Sequence, residues 1–190
     1  MSATSEVQIC SNALLLLGQN PISSFDDEGD SALLASNLWP TVRDAVLRSH
    51  PWNCAMKRVV LSPDLTPPAF DWSYAFTLPG DYLRVWSIGR DFDNPKFFVE
   101  NGKILIDDAI CNLRYIFQQT DITKYDSLLI LAMTSGMAAA LAYPITKSQT
   151  EQDAMMKLHQ FHLKQARTAD GQEGTGEEST DSPLIQVRGT

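Results

Sequence analysis

Apolar positions along the chain change their spacing twice, and these changes predict where helix gives way to strand. Over residues 5–18 and 30–48, apolar side chains recur every three or four positions, which is the spacing of one helix face. Between residues 54 and 119, short runs of aromatic and β-branched residues alternate with Pro, Gly and Asp, a pattern typical of strands. Helical spacing returns over residues 123–144 and 148–169. The chain is therefore predicted to place a sheet between two helical segments.

Local signals mark the ends of these helices. Ser5 and Ser148 are each followed three residues later by Gln or Glu, the spacing of a capping box that starts a helix. Asp30 or Ser31 is expected to cap the second helix. His50 precedes a proline and is pushed out of the α region, so the second helix is expected to end close to it. The tryptophan two residues later is then predicted to fill a core.

The strand pattern predicts the class of fold. Strands are expected over residues 58–61, 72–77, 83–89, 96–99, 103–106 and 112–117. Between two of them, Asn101 and Gly102 form the strongest short hairpin signal. Helices before and after such a group predict an α+β fold: a helical bundle body with an inserted small antiparallel β-sheet and a flexible C-terminal arm. The predicted boundaries are 1–54 and 120–170 for the body, 55–119 for the inserted β-rich subdomain, and 171–190 for the arm.

Composition limits the classes of protein to which the chain can belong. Its 190 residues, 44% of them hydrophobic and 20% charged, suffice for one well-packed domain with or without a small subdomain. A net charge of −8 argues against a protein that grips nucleic acid, because such affinity comes largely from clustered Lys and Arg. No basic segment followed by an apolar stretch opens the chain, so we expect it to stay in the cytosol. The uncharged residues 128–143 are too few to cross a bilayer and predict a buried helix.

Candidate metal and nucleophile sites are weak. His159 and His162 are spaced to face one metal ion from a helix, but no third ligand accompanies them. His50 and Cys54 have the residue types of a Cys-His pair, although one lies at a helix end and the other at the entry to a strand. The acidic loop 26–30 lacks the alternating oxygen ligands of a calcium loop. No cofactor and no metal is therefore predicted.

Two further patterns favour structural roles. The three cysteines are far apart, each in an apolar run, and are predicted to be buried reduced thiols. The alternating Trp72, Tyr74 and Phe76 have the residue types of a base-stacking platform, but few cations accompany them. We expect these rings to pack one face of a sheet instead.

Five passages carry a likeness to a known family. They are ICSNALLLLGQNPISSFDDEGDSA (9–32), RDAVLRSHPWNCAMKR (43–58), WSYAFTLPGDYLRVWSIG (72–89), ITKYDSLLILAMTSGMAAALAYPITKS (122–148), and HLKQARTAD (162–170) with the SPLIQVRG ending. In this order they resemble the head-to-tail adaptor proteins of tailed phages, close to the tail tubular protein A type of short-tailed phages. The loop DDEGDSA followed by LRSHPWNCA is a fairly specific part of the resemblance, which spans nearly the whole chain.

The resemblance implies a structural protein of the virion, not an enzyme. It would form a ring, expected to have twelve subunits, beneath the portal of a filled capsid. Its partners would be the portal protein, the next tail protein of the nozzle or tube, and double-stranded DNA that passes through the lumen without specific binding. The protein would be synthesised in the host cytoplasm and reside at the head-tail interface of the virion, with no membrane partner.

The resemblance also implies roles for particular residues. The arm is expected to climb onto the portal, while the inserted sheet faces the tail. The apolar anchors and the polar clamp of the arm would be Leu184, Ile185, Val187 and Arg188. Small residues on the third helix suit close helix contact and are expected at the subunit interface. This small-residue ridge comprises Ala132, Gly136 and Ala140.

Two other classes of protein stay open. One is a tail-associated hydrolase that cleaves cell-wall glycan with two carboxylates, drawn from residues such as Asp26, Glu28, Asp81 or Asp107. This chemistry requires two carboxyl groups about 5 to 10 Å apart across a cleft. The other is a cytosolic regulatory or chaperone-like helical adaptor that binds a soluble partner through its Ala-rich helix. That class accounts for the helices but not for the inserted sheet.

Overall fold

The computed structural model describes residues 5–89 and 95–173. The helices are α1 (Glu6–Leu16), α2 (Asp30–Arg48), α3 (Ser127–Thr146) and α4 (Gln149–Gln172). The strands are β1 (Met56–Leu61), β2 (Tyr74–Thr77), β3 (Tyr82–Ile88), β4 (Phe98–Glu100), β5 (Lys103–Ile106) and β6 (Cys111–Phe117). All six strands lie between α2 and α3, which confirms the predicted α+β class.

Two of the predicted helix caps are present. The hydroxyl of Ser5 accepts a hydrogen bond from the N–H of Gln8 at 3.2 Å and starts α1. The hydroxyl of Ser148 does the same for the N–H of Glu151 at 3.2 Å and starts α4. The predicted cap of α2 was wrong by one residue, because the cap position is held by Gly29.

The predicted limits of α3 were also wrong. Residues Ile122–Lys124 form a separate 3-10 turn instead of the start of the helix. The carboxylate of Asp126 then accepts hydrogen bonds from the N–H groups of Leu128 and Leu129 at 2.7 and 3.0 Å. This cap delays α3 to residue 127, since its first N–H groups find their acceptor there. At the other end α3 continues through Pro144 to Thr146.

α3 is the central helix of the body. It packs against α1, α2 and α4. By length and composition α3 could cross a membrane, but 56% of its most apolar stretch is buried inside the chain. The hydroxyls of its buried Thr134 and Ser135 donate to the carbonyl oxygens of Ile130 and Leu131 one turn earlier, at 2.9 and 3.1 Å. α3 is thus the core helix that the sequence predicts.

The strands form two small antiparallel sheets, whereas a single inserted sheet was predicted. The first sheet has the order β1-β6-β3 and the second the order β2-β5-β4. β4 and β5 are joined by the predicted hairpin, in which Asn101 and Gly102 both have positive φ, at 46° and 71°. Two positive φ angles match the turn that the Asn-Gly pair favours. The single-sheet expectation failed because strand spacing does not reveal which strands pair.

The first sheet contacts two hydrophobic clusters. Leu113 and Tyr115 of β6 belong to a cluster shared with the second sheet. Their neighbour Ile116 belongs to the cluster of the helical body. Ile116 pairs with Met56 of β1, which also packs against the body. Side chains alternate across a strand, so Ile116 and Met56 project from the face that points away from the second sheet, which we call the outer face. One end of this outer face packs against the helices.

Candidate functional site

The predicted arm residues lie outside the described part of the chain. Leu184, Ile185, Val187 and Arg188 all follow residue 173, the last one described. Their proposed contact with a portal therefore stays a prediction. The described chain ends just after α4, at Glu173.

The small-residue ridge of α3 faces α4 of the same chain. Ala132 and Gly136 are buried, while Ala140 is half-buried. The ring nitrogen Nδ1 of His159 lies 3.0 Å from the carbonyl oxygen of Ala132. A Cβ atom added at Gly136 would lie 3.1 Å from Cε1 of His159 and 3.4 Å from Cγ1 of Val42. Close contact at the ridge is thus made within the chain, and Ala140 is its most open member.

The two histidines of α4 have structural surroundings. Burial lowers the pKa of both His159 and His162, which favours their neutral forms. Nδ1 of His162 is buried and makes no hydrogen bond within the described chain. Within residues 5–89 and 95–173, no group of three or more His, Cys, Asp or Glu side chains is placed to hold a metal ion.

A buried carboxylate joins the end of α4 to the segment after α2, which we call the joint (residues 49–55). The Asp170 carboxylate accepts a hydrogen bond from the N–H of Asn53 at 3.0 Å and lies 3.2 Å from Nε2 of His50. The side-chain amide of Asn53 in turn donates to the carbonyl oxygen of Asp170 at 3.0 Å. Trp52 is fully buried, and its Nε1 donates to the carbonyl oxygen of Val46 at 3.0 Å. The prediction that this tryptophan fills a core is confirmed.

The surroundings of His50 and Cys54 are those of buried structural residues. Burial, together with the nearby Asp170 charge, raises the pKa of the Cys54 thiol to about 12. Burial also lowers the pKa of His50 although Asp170 opposes this shift. A nucleophilic cysteine requires a lowered thiol pKa, so these surroundings disfavour the thiolate.

The four carboxylates considered for glycan cleavage have separate surroundings. Asp81 accepts hydrogen bonds from Lys57 at 2.6 Å and from the hydroxyl of Tyr115 at 3.0 Å, and these partners lower its pKa. Asp107 accepts from the N–H and hydroxyl of Ser73, both at 2.9 Å. Asp26 and Glu28 lie in the loop before α2. Four surface cavities of about 360 to 490 Å³ in the described part of the chain have none of these four carboxylates in their walls.

A surface cavity beside the second sheet holds other carboxylates. It has a volume of about 490 Å³. Its walls include Asp71, Trp72, Phe98, Glu100 and Lys103. Asp71 has a positive φ of 66°, uncommon for a residue other than glycine. Sequence reasoning missed this cavity because a loop residue and a hairpin residue line it together.

Large apolar side chains are exposed on both parts of the molecule. On the helical body these include Leu15, Leu16, Leu33, Leu131, Tyr143, Met156 and Phe161. On the β-rich part they include Val60, Leu65, Phe70, Trp86, Phe98, Val99 and Ile110. The prediction for the three alternating aromatic rings is confirmed for two of them: Phe76 is fully buried in the cluster between the sheets and Tyr74 packs against that cluster. It was wrong for Trp72, which precedes β2 and lines the surface cavity instead.

No protein-family model and no curated protein matches the chain.

Proposed function

We propose that the protein is a structural head-to-tail adaptor of a tailed-phage virion. Its subunits form a ring, expected to be a dodecamer, beneath the portal, and this ring joins the DNA-filled capsid to the next tail protein. Double-stranded DNA passes through the lumen without specific binding. The protein acts at the head-tail interface after synthesis in the host cytoplasm, without a membrane partner.

One observation carries this proposal: a well-packed body leaves apolar side chains open on several elements. Leu15 of α1 is 54% exposed and Phe161 of α4 is 57% exposed, although α3 between these helices is largely buried. Contiguous apolar surface on a folded chain is typical of a site that binds another protein, and the neighbouring Leu15 and Leu16 of α1 are 54% and 43% exposed. Such surface on both the helices and the sheets favours a subunit with more than one neighbour.

The negative charge of the chain supports an open path for DNA. A net charge of −8 repels phosphate, so a lumen lined by such subunits would let DNA slide without holding it.

Of the small-residue ridge, Ala132 and Gly136 are covered by α4, so a neighbouring subunit would reach the ridge at Ala140.

The arm supplies the proposed portal contact. Its apolar residues Leu184, Ile185 and Val187 follow an acidic stretch rich in Gly, Ser and Thr that cannot form a core alone. Arg188 adds a polar contact. Ordering of such a segment on a partner would attach the ring to the portal.

Light scattering after size exclusion tests the proposal with the protein alone and mixed with the portal ring of the same phage. We expect a large complex of fixed stoichiometry with the portal. A protein that stays apart from the portal would refute the adaptor role.

Two variants separate the arm from the ring in the same assay. Replacing Leu184, Ile185 and Val187 by serine should abolish portal attachment while the thermal unfolding curve stays unchanged. The matched control replaces Glu177 and Glu178 by glutamine and should attach normally. Normal attachment of the serine variant would refute the role of the arm.

The second candidate is a tail-associated hydrolase that cleaves cell-wall glycan with two carboxylates. The cavity of about 490 Å³ favours Asp71 and Glu100 over the four residues first considered, because both line it beside aromatic rings. Release of soluble fragments from purified peptidoglycan, lost in both D71N and E100Q, would support this candidate. No release by the native protein would exclude it.

A further inference from the structure

Three arginines project from one surface of this acidic chain. On the outer face of the first sheet, Arg58 of β1 lies directly opposite Arg114 of β6. Arg84 of β3 pairs with Ile116 on the same face. Paired residues of antiparallel strands project on the same side, so the three side chains share this face. We call this surface the basic face; it comprises Arg58, Val60, Arg84, Trp86 and Arg114.

The basic face combines positive charge with open apolar surface. Val60 is 67% exposed and Trp86 is 43% exposed. The guanidinium carbon of Arg84 lies 5.5 Å from the centre of the Trp86 ring. A recess of about 450 Å³ lies between Arg58, Val60, Asn112 and Arg114. In the described part of the chain, neither Arg58 nor Arg84 forms an ion pair with a carboxylate.

The opposite charge is concentrated before and within the first turn of α2. The carboxylate of Asp27 accepts hydrogen bonds from the backbone N–H groups of Ser23 and Ser24 at 2.6 and 3.1 Å, which holds the loop in a turn. Leu33, one turn into the helix, is 61% exposed beside these acids. We call this surface the acidic corner; it comprises Asp26, Asp27, Glu28, Asp30 and Leu33.

The two surfaces lie at opposite ends of α2. The acidic corner is at its N-terminal end, whereas Arg48 at its C-terminal end donates a hydrogen bond to the carbonyl oxygen of Leu83, next to Arg84. The 19 residues of α2 span about 28 Å at 1.5 Å per residue. This exceeds the Debye length of about 8 Å at physiological salt. The acidic corner therefore does not neutralise the basic face of its own chain.

We propose that the basic face of one subunit receives the acidic corner of a second copy of this chain. This inference rests on the proposed ring and names the contact between its subunits. Because the two surfaces differ, the contact is head-to-tail, and repeated head-to-tail contacts close into rings when the rotation allows. A contact between two basic faces or between two acidic corners would bring like charges together and is disfavoured.

The chemistry of the two surfaces is complementary in both charge and hydrophobicity. Carboxylates of the acidic corner match the planar guanidinium groups of Arg58 and Arg84, which bind carboxylates with two hydrogen bonds. Leu33 is then placed against the open surface of Val60 and Trp86. Charged contacts of this kind chiefly set the rate and the register of association, while apolar contact adds affinity.

Charge reversal tests the contact in the full chain. The face variant carries Arg58→Glu and Arg84→Glu, and the corner variant carries Asp26→Lys and Glu28→Lys. Each variant alone should assemble at least about tenfold more weakly than the native protein, with or without the portal ring. An equimolar mixture should regain native assembly, because every contact in an alternating ring then joins opposite charges. This rescue also shows that both variants fold.

A control separates the contact from the change in net charge. Lys157→Glu with Lys164→Glu, on the exposed side of α4, matches the face variant in charge and should assemble normally. If the native ring forms but the face and corner variants assemble as well as it does, the proposed contact is refuted and the ring stands. If the native protein forms no ring either alone or on the portal, both proposals fail. Loss of DNA binding in the face variant with assembly unchanged would make the basic face a nucleic-acid site and overturn the contact.

Discussion

Replacing Gly136 by alanine measures how closely α4 covers α3. The added Cβ would lie 3.1 Å from Cε1 and 3.2 Å from Nδ1 of His159, and 3.4 Å from Cγ1 of Val42. Carbon atoms pack best at about 3.5–4.0 Å. The imidazole would therefore have to move by roughly 0.4 Å. Its hydrogen bond to the carbonyl oxygen of Ala132, now 3.0 Å long, opposes that movement.

Two opposing free energies set the size of the effect. Alanine is favoured over glycine inside a helix by about 1 kcal/mol. Forcing an extra carbon into a well-packed core costs about 1–3 kcal/mol. The free energy of unfolding of G136A should thus fall by about 1 kcal/mol relative to the native protein.

The assay is urea unfolding followed by circular dichroism for the native chain, G136A, H159A and the double variant. Without the imidazole the alanine has room, so in the H159A background the same change should stabilise the chain by about 1 kcal/mol. The coupling energy between the two sites is then about 2 kcal/mol. Gly171, where an added Cβ meets nothing within 4 Å, provides the control. G171A should not destabilise the chain.

An equal effect of G136A in both backgrounds would refute this reasoning. It would mean that the contact between Gly136 and His159 does not constrain the packing of α3 against α4. A stabilising effect of G136A in the native chain would lead to the same conclusion.

Three further predictions follow from buried groups. D170A should lower the free energy of unfolding by about 2–4 kcal/mol, because the N–H of Asn53 loses a charged acceptor. The control D153A removes an exposed carboxylate and should have little effect in the same urea assay. Burial is the main cause of the lowered pKa values of all three histidines. The unfolded chain therefore binds more protons than the folded chain near pH 6.5, and the melting temperature should fall as the pH drops from about 7.5 to 5.5. A constant melting temperature over this range would contradict the buried placement. Burial raises the pKa of Cys10 to about 12 and that of Cys111 to about 11. Both thiols should therefore react with a disulfide reagent at neutral pH only after the chain is unfolded. Fast labelling of the native chain would contradict this prediction.

Features that depend on neighbouring residues could be predicted from the sequence. The serine caps of α1 and α4 each need one side chain and one N–H group three residues away. The hairpin at Asn101 and Gly102 depends on two backbone angles. The α+β order followed from the change in apolar spacing. The late start of α3 was missed because the residues before it form a separate 3-10 turn capped by Asp121, and Asp126 then caps the helix.

Features that depend on pairing between distant strands could not be predicted. Two sheets arise because β6 pairs with β1 and β3 while β5 pairs with β2 and β4. The basic face needs the register that sets Arg58 opposite Arg114, across more than fifty residues of chain. A period of two along β1 gives the side of the strand on which an arginine lies, but not its partner. The small residues of the ridge could likewise be recognised in the sequence, but the contact of Gly136 with His159 could not.

The position of Asp170 gives the molecule a mechanical property. Asp170 lies three residues before the end of the described chain. Its carboxylate and its carbonyl oxygen both accept hydrogen bonds from Asn53. Any pull on the chain beyond residue 173 therefore reaches these hydrogen bonds before it reaches the core. They form side by side between the same two residues, so they share the load and must break almost together. Traction on the C-terminal end is therefore expected to break these two hydrogen bonds before it unwinds the part of α4 that precedes Asp170, and Asn53 would pass the load to β1, which begins three residues later.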